Sequence, residues 1–249
     1  MTSRVNFDDL TFDKFRELAS MDGLTSHEKV GFPNEYREGK EEEIFADMLR
    51  KTRSLSARHA AVVEIGPGCS RLPVMLAQLC ASHGGHVHFV DSEEMLQHLP
   101  DGIHISKWPG RFPELPGFFE ALTGKVDTVV AYSVIQYVFA EGNLWEFIDR
   151  CMSLLKDGGE IFLGDIPNVS MRKRFFASDD GIRTHMAFTG KEELPQVTFN
   201  QLEPGRIDDS VVLSLLARAR SAGFHAWVVP QADALPMANR REDILIRKP

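Results

Sequence analysis

At 249 residues, 43% of them hydrophobic, the chain is long enough for one domain with additions, and its formal net charge of −8 argues against binding nucleic acid or an anionic membrane by bulk electrostatics. Three cysteines, Cys69, Cys80 and Cys151, are too few and too scattered for a disulfide framework or a thiolate metal cluster. The start, Met1 to Asp8, has no apolar leader core, and no stretch reaches the ~20 apolar residues of a membrane span; a soluble, cytoplasmic chain is expected, with no nucleic-acid or membrane partner and an open oligomeric state.

Residues 1–55 are rich in charge and predict helices over Asp8 to Ala19 and Lys40 to Arg53, with Gly31-Phe32-Pro33-Asn34 as a loop between them. Ile44, Phe45, Met48 and Leu49 mark one apolar face of the second helix, so this segment is expected to form a helical cap on a domain spanning 56–249. The run Ala61-Val62-Val63-Glu64-Ile65 then predicts a buried strand. It passes through Gly66-Pro67-Gly68 into a helix, marked by the helical spacing of Leu72, Met75, Leu76 and Leu79. Glycines in such a loop let a ligand approach the backbone. A second apolar run closes on Asp91, at the carboxyl end of the neighbouring strand, where a carboxylate can accept both hydroxyls of a ribose.

Two kinds of nucleoside cofactor suit this arrangement, and two residues separate them. The dinucleotide fingerprint requires a third glycine for close helix packing, and Arg71 occupies that position. Glu64, two places before Gly66, is badly placed beside a pyrophosphate but well placed beside an ammonium. That favours a sulfonium nucleoside carrying an amino acid.

Further strands are predicted near 102–106, 126–131, 159–164, 224–229 and 242–247. Between the fourth and fifth, Leu144, Phe147, Ile148, Cys151, Leu154 and Leu155 share one helical face, with Gly158-Gly159 expected to end that helix. Asp208-Asp209-Ser210 opens another helix, buried through Val212, Leu213, Leu215 and Leu216 and ended by Gly223. The last two strands are too close in sequence for a helical crossover and are expected to pair antiparallel.

Glu64-Ile65-Gly66-Pro67-Gly68 with Asp91, Asp127 to Val138, and Leu154 to Leu163 together resemble the cofactor strand, fourth strand and fifth-strand turn of class I S-adenosylmethionine-dependent methyltransferases. The likeness runs from about Ala61 to Pro249. It implies an α/β Rossmann-like sheet of seven mostly parallel strands, order 3-2-1-4-5-7-6 with an antiparallel last strand, and S-adenosylmethionine as cofactor. It places Glu64, Gly66 and Gly68 around the methionine moiety and Asp91 at the ribose. Tyr132 and Ser133 would border the methionine end, with Gln136 and Tyr137 opening towards an acceptor. Fainter likeness in Gly31-Phe32-Pro33, Tyr36-Arg37-Glu38-Gly39 and Asp165-Ile166-Pro167-Asn168 points to small bacterial methyltransferases linked to cell-surface polysaccharide or secondary-metabolite pathways.

The acceptor side carries the remaining candidates. Asp165, leaving the sheet at the ligand end, is the first candidate for a general base, against the alternative that it caps a turn. Gln136 is a second candidate catalytic group, and His185, within a substrate-side insertion at 166–207, is a reserve base. Arg172 and Arg174, in the densest basic run, together with Tyr36 and Arg37, are candidates for an anionic substrate, a solvated surface being the alternative. Trp108 or Phe112 is considered for packing on the adenine. No metal is expected, since Tyr132-Ser133 and Asp165-Ile166 replace the acidic ligands of the metal-assisted relatives. The expected activity is methyl transfer to a small polar acceptor, an oxygen of a sugar, sugar nucleotide or related anionic metabolite. A nitrogen or carbon acceptor and a noncatalytic cofactor sensor are the alternatives.

Overall fold

The computed structural model describes residues 10–31 and 39–249. In chain order its elements are α1 (Phe12–Ser20), α2 (Ser26–Lys29), α3 (Glu41–Lys51), β1 (Ala61–Ile65), α4 (Arg71–Ser82), β2 (His86–Asp91), α5 (Glu93–Leu96), β3 (Ile105–Pro109), α6 (Phe118–Leu122), β4 (Val126–Tyr132), α7 (Ile135–Glu141), α8 (Leu144–Leu154), β5 (Leu155–Pro167), α9 (Val169–Phe176), α10 (Asp179–Thr189), α11 (Asp209–Ser221), β6 (His225–Pro230) and β7 (Arg241–Arg247). The strands form one seven-stranded sheet in the order β3-β2-β1-β4-β5-β7-β6. All pairs are parallel except those of β7, which runs antiparallel to both β5 and β6.

A mostly parallel sheet must be covered on both faces, and the core divides accordingly. One cluster joins Val129, Ile161 and Ile244 to Phe147 and Ile148 of α8 and to Leu215 of α11. The other joins Val62, Val130 and Phe162 to Leu72 and Leu76 of α4 and to Ile44 and Phe45 of α3. The apolar face read on the second N-terminal helix is therefore spent against the sheet's α4 side. Helix starts follow their caps: Thr11 accepts from the N–H of Lys14, Asn143 from Glu146, and Asp208 from Ser210 and Val211.

Three local expectations shift: the bounds of the third strand, the end of α8, and the burial of Leu213, which is 61% exposed on α11 while Val212, Leu215 and Leu216 are buried. The third strand lies at Ile105–Pro109 rather than 102–106, because the pairing partner of Val90 is Trp108. Trp108 is thereby a strand residue, its ring edge-on to Phe118 and its indole N–H given to His88 Nδ1 at 3.2 Å. Helix α8 ends at Leu154, ahead of the glycines, and Gly158-Gly159 fall within β5. There the β4–β5 register shifts between Val126 and Thr128, and Gly158 takes a φ of 78°, the left-handed region open to glycine.

Candidate cofactor and active site

A cavity of about 270 Å³ opens at the carboxyl ends of β1, β2 and β4, where ligands sit in open α/β sheets. Of the anticipated residues it brings together Glu64, Gly66, Gly68, Asp91, Tyr132, Ser133 and Tyr137. The loop between β1 and α4 runs in left-handed backbone at Gly66 (φ 65°) and Gly68 (φ 66°). A Cβ on Gly66 would come within 2.6 Å of Val134 Cγ2, so the loop is closed to larger residues by packing as well as by conformation.

Two of the acids on the cavity wall, Glu64 and Asp91, have their carboxyls raised by burial. Glu64 is 4% exposed, and among the described residues its Oε2 has no hydrogen-bond partner. Burial, and then the neighbouring charge of Asp91, push its carboxyl up to about 8. Asp91 Oδ1 accepts from the N–H of Ser92 at 2.7 Å and Oδ2 from that of Gly68 at 3.3 Å. Burial nonetheless raises Asp91 to about 6, against those N–H bonds and with Glu94 adding repulsion. A buried acid without a cation is costly unless something positive or hydrogen-bonding arrives.

The rest of the wall comes from segments with no recognisable motif. From α1, Phe12 and Phe15 reach the cavity, Phe15 meeting Tyr137 edge-on at 4.9 Å between ring centroids. The same helix is tied across the opening, with the Phe12 N–H donating to Glu141 Oε2 at 3.4 Å and Arg16 to Glu94 at 2.7 Å. After β3, Arg111, Phe112 and Glu114 line the cavity, Phe112 packing edge-on against Phe147. Glu141, Asn143 and Glu146 complete the α7–α8 side. Phe112, one of the two aromatics considered for adenine, is on the wall; Trp108 is not.

The remaining candidates lie elsewhere. Asp165 is 3% exposed and outside the cavity wall; its carboxylate accepts from Arg241 Nη1 at 2.7 Å and from the Ser133 hydroxyl. Gln136 is also off the wall, its amide donating to the Ser133 carbonyl at 2.9 Å. His185 sits on α10 against the edge of the Phe176 ring. The basic run on α9 is neutralised locally: Arg172 bonds both oxygens of Glu203 at 2.8 and 2.9 Å, and Arg174 both oxygens of Asp209 at 2.5 and 3.2 Å. Neither arginine reaches the cavity, because acids 31 and 35 residues later in the chain fold back onto them. Tyr36 and Arg37 lie outside the described residues.

No family profile matches the chain. An alignment 124 positions long, covering 47% of the chain and 3% of the other protein, shows 42% identity to chondramide synthase cmdD of Chondromyces crocatus. Among solved structures, the N-methyltransferase NodS from Bradyrhizobium japonicum WM9, in complex with S-adenosyl-l-homocysteine, is similar at TM-score 0.59 and 16% identity over 97% of this chain and 100% of that one. The plantazolicin methyltransferase BpumL, also in complex with S-adenosylhomocysteine, matches at 0.59 and 10% over 95% and 98%. A SAM dependent methyltransferase from Aquifex aeolicus matches at 0.52 and 11% over 96% and 97%.

The fold is that of the class I methyltransferases. At these identities the likeness concerns architecture, and whether this chain's residues suit the cofactor has to be judged from the cavity itself. They do: the class I cofactor carries an ammonium, a sulfonium and a ribose diol, and the cavity offers a buried acid with an unmet oxygen, a second acid at a strand end and a glycine loop.

Proposed function

We propose that this chain transfers a methyl group from S-adenosylmethionine to a small-molecule acceptor. The observation that carries the reading is the Oε2 of buried Glu64 on the wall of the cavity, which has no hydrogen-bond partner among the described residues. An ammonium there would convert an uncompensated acid into a charge-assisted pair and return its proton affinity towards normal. Asp91 would accept the ribose hydroxyls, while Gly66 and Gly68 admit the cofactor against backbone. When bound, the cofactor supplies an electrophilic methyl on sulfur. The chain's task is then alignment and exclusion of water, which Phe12 and Phe15 of α1 serve by walling the opening. In this reading α1 supplies the cap anticipated within residues 1–55, while α3 packs on the α4 side of the sheet.

The acceptor side follows from charge. An oxygen of a sugar, sugar nucleotide or related anionic metabolite would find Arg111, the guanidinium lining the cavity among the described residues. A basic amine is the second reading, favoured by the carboxylates of Glu114, Glu141 and Glu146 on the same wall. The stretch shared with chondramide synthase supports a place in natural-product assembly. Purified protein incubated with radiolabelled S-adenosylmethionine and a panel split between sugar nucleotides and small amines tests the reading. Transfer to the first group supports the oxygen acceptor and transfer to the second the amine; cofactor binding with no transfer to either favours a sensor.

A further inference from the structure

Two non-glycine residues occupy left-handed backbone at adjacent strand ends, Ser133 after β4 (φ 58°) and Asp165 in β5 (φ 59°). Such conformations persist only where the surroundings over-determine them, and they concentrate at functional sites. Asp165 falls where the β5–β7 register slips between Leu163 and Ile166, a bulge of the kind that re-aims a side chain. Among the described residues, three side chains hold it. Its N–H donates to Asp243 Oδ1 at 2.8 Å, Arg241 Nη1 donates to its carbonyl at 3.2 Å and to its carboxylate at 2.7 Å, and the Ser133 hydroxyl donates to the same Oδ2. Asp243, completely buried, is fixed in turn by Lys51 Nζ at 2.6 Å and Gln231 Nε2 at 3.0 Å. Lys51 belongs to α3 and also bonds Asp47 there. A continuous polar relay thus runs from the N-terminal helices through the sheet to a residue on the cavity wall.

The direction of the last bond decides the chemistry. A serine hydroxyl has one proton, and among the described residues Ser133 gives it to Asp165. Towards a ligand in the cavity, Ser133 Oγ therefore acts as an acceptor. Asp165 itself, paired with Arg241 and outside the cavity wall, has no path to a ligand's proton. We propose that Asp165 is a positioning residue rather than a base: with Arg241, Asp243 and Lys51 it fixes Ser133 Oγ as a hydrogen-bond acceptor for the ammonium of the cofactor, beside Glu64.

The proposal rests on the cofactor reading above, and one calorimetric series separates the two. S-adenosylhomocysteine is titrated into the unmutated chain, Ser133→Ala, Asp165→Asn and the double variant. Each single change is expected to weaken binding about tenfold, the scale of one hydrogen bond to a charged group, and the double change by about the same tenfold, because Asp165 acts through Ser133. A merely structural role would not give that coupling. Unaltered affinity in the single variants, or effects that multiply in the double, overturns the relay while leaving the cofactor reading standing. An unmutated chain that does not bind the ligand at all removes both. Where Asp165→Asn does not fold, Arg241→Lys takes its place in the cycle with the same expected coupling.

Discussion

Glu64 and Glu160 are both acids on central strands of one sheet, 4% and 1% exposed, and they live under opposite conditions. Glu160 accepts from Arg247 at 2.6 and 2.9 Å and from the N–H and hydroxyl of Ser54, both at 2.9 Å. Glu64 has an oxygen with no partner among the described residues. Asp243 and Asp91 repeat the contrast, the first matched to Lys51 and the second, among the described residues, to backbone N–H groups. A buried carboxylate matched to a cation is part of the scaffold, whereas one left unmatched at the wall of a cavity keeps a place for a ligand's charge.

Removing partners breaks that contrast most visibly on the scaffold side. Glu160→Gln leaves Arg247 against the sheet without its acid and is expected to cost about 3 kcal/mol of unfolding free energy, read by urea denaturation, with affinity for S-adenosylhomocysteine unchanged. Glu64→Gln should do the reverse. It is expected to weaken S-adenosylhomocysteine about 30-fold by calorimetry, roughly 2 kcal/mol, while leaving the unliganded protein no less stable. An equal loss of stability in both variants would erase the distinction between them. Asp91→Ala, which removes the proposed ribose acceptor but also relieves a buried acid, is expected to weaken the same ligand about tenfold. The smallest effect belongs to the surface: Arg174→Ala breaks a half-exposed pair with Asp209 and is expected to change stability by less than about 1 kcal/mol and ligand affinity not at all.

Much of the scaffold was legible because its signals are local. The strand at Ala61–Ile65, its glycine loop and the short connection that makes the last strand antiparallel carry their geometry in a few adjacent residues, while the strand order comes from the resemblance to class I methyltransferases. The bounds of the third strand are not legible in sequence, because 102–109 has weak alternation and the register is set by pairing with β2. Gly158-Gly159 look like a helix stop in sequence, whereas the bulge they serve exists only once β4 lies beside β5. At the cavity, Glu64 and Asp91 announce themselves by spacing. Phe12, Glu114 and Glu146 do not, since their presence on one wall depends on how three separate segments cross the sheet's end. The pairing of Arg172 with Glu203 and of Asp165 with Arg241 spans 31 and 76 residues, so candidates that look free in sequence are neutralised in the fold.

The account turns on Glu64 receiving the cofactor's positive charge, and proton linkage reads that event directly. With its carboxyl raised to about 8, Glu64 is mostly protonated at neutral pH in the unliganded protein, and an ammonium beside it would lower that value and expel the proton. Binding would accordingly strengthen as pH rises towards 8. Titration of S-adenosylhomocysteine at pH 7 in buffers of different ionisation enthalpy is expected to show release of about one proton per site in the unmutated chain and close to none in Glu64→Gln. Binding that releases no proton in the unmutated chain would contradict the assignment of Glu64.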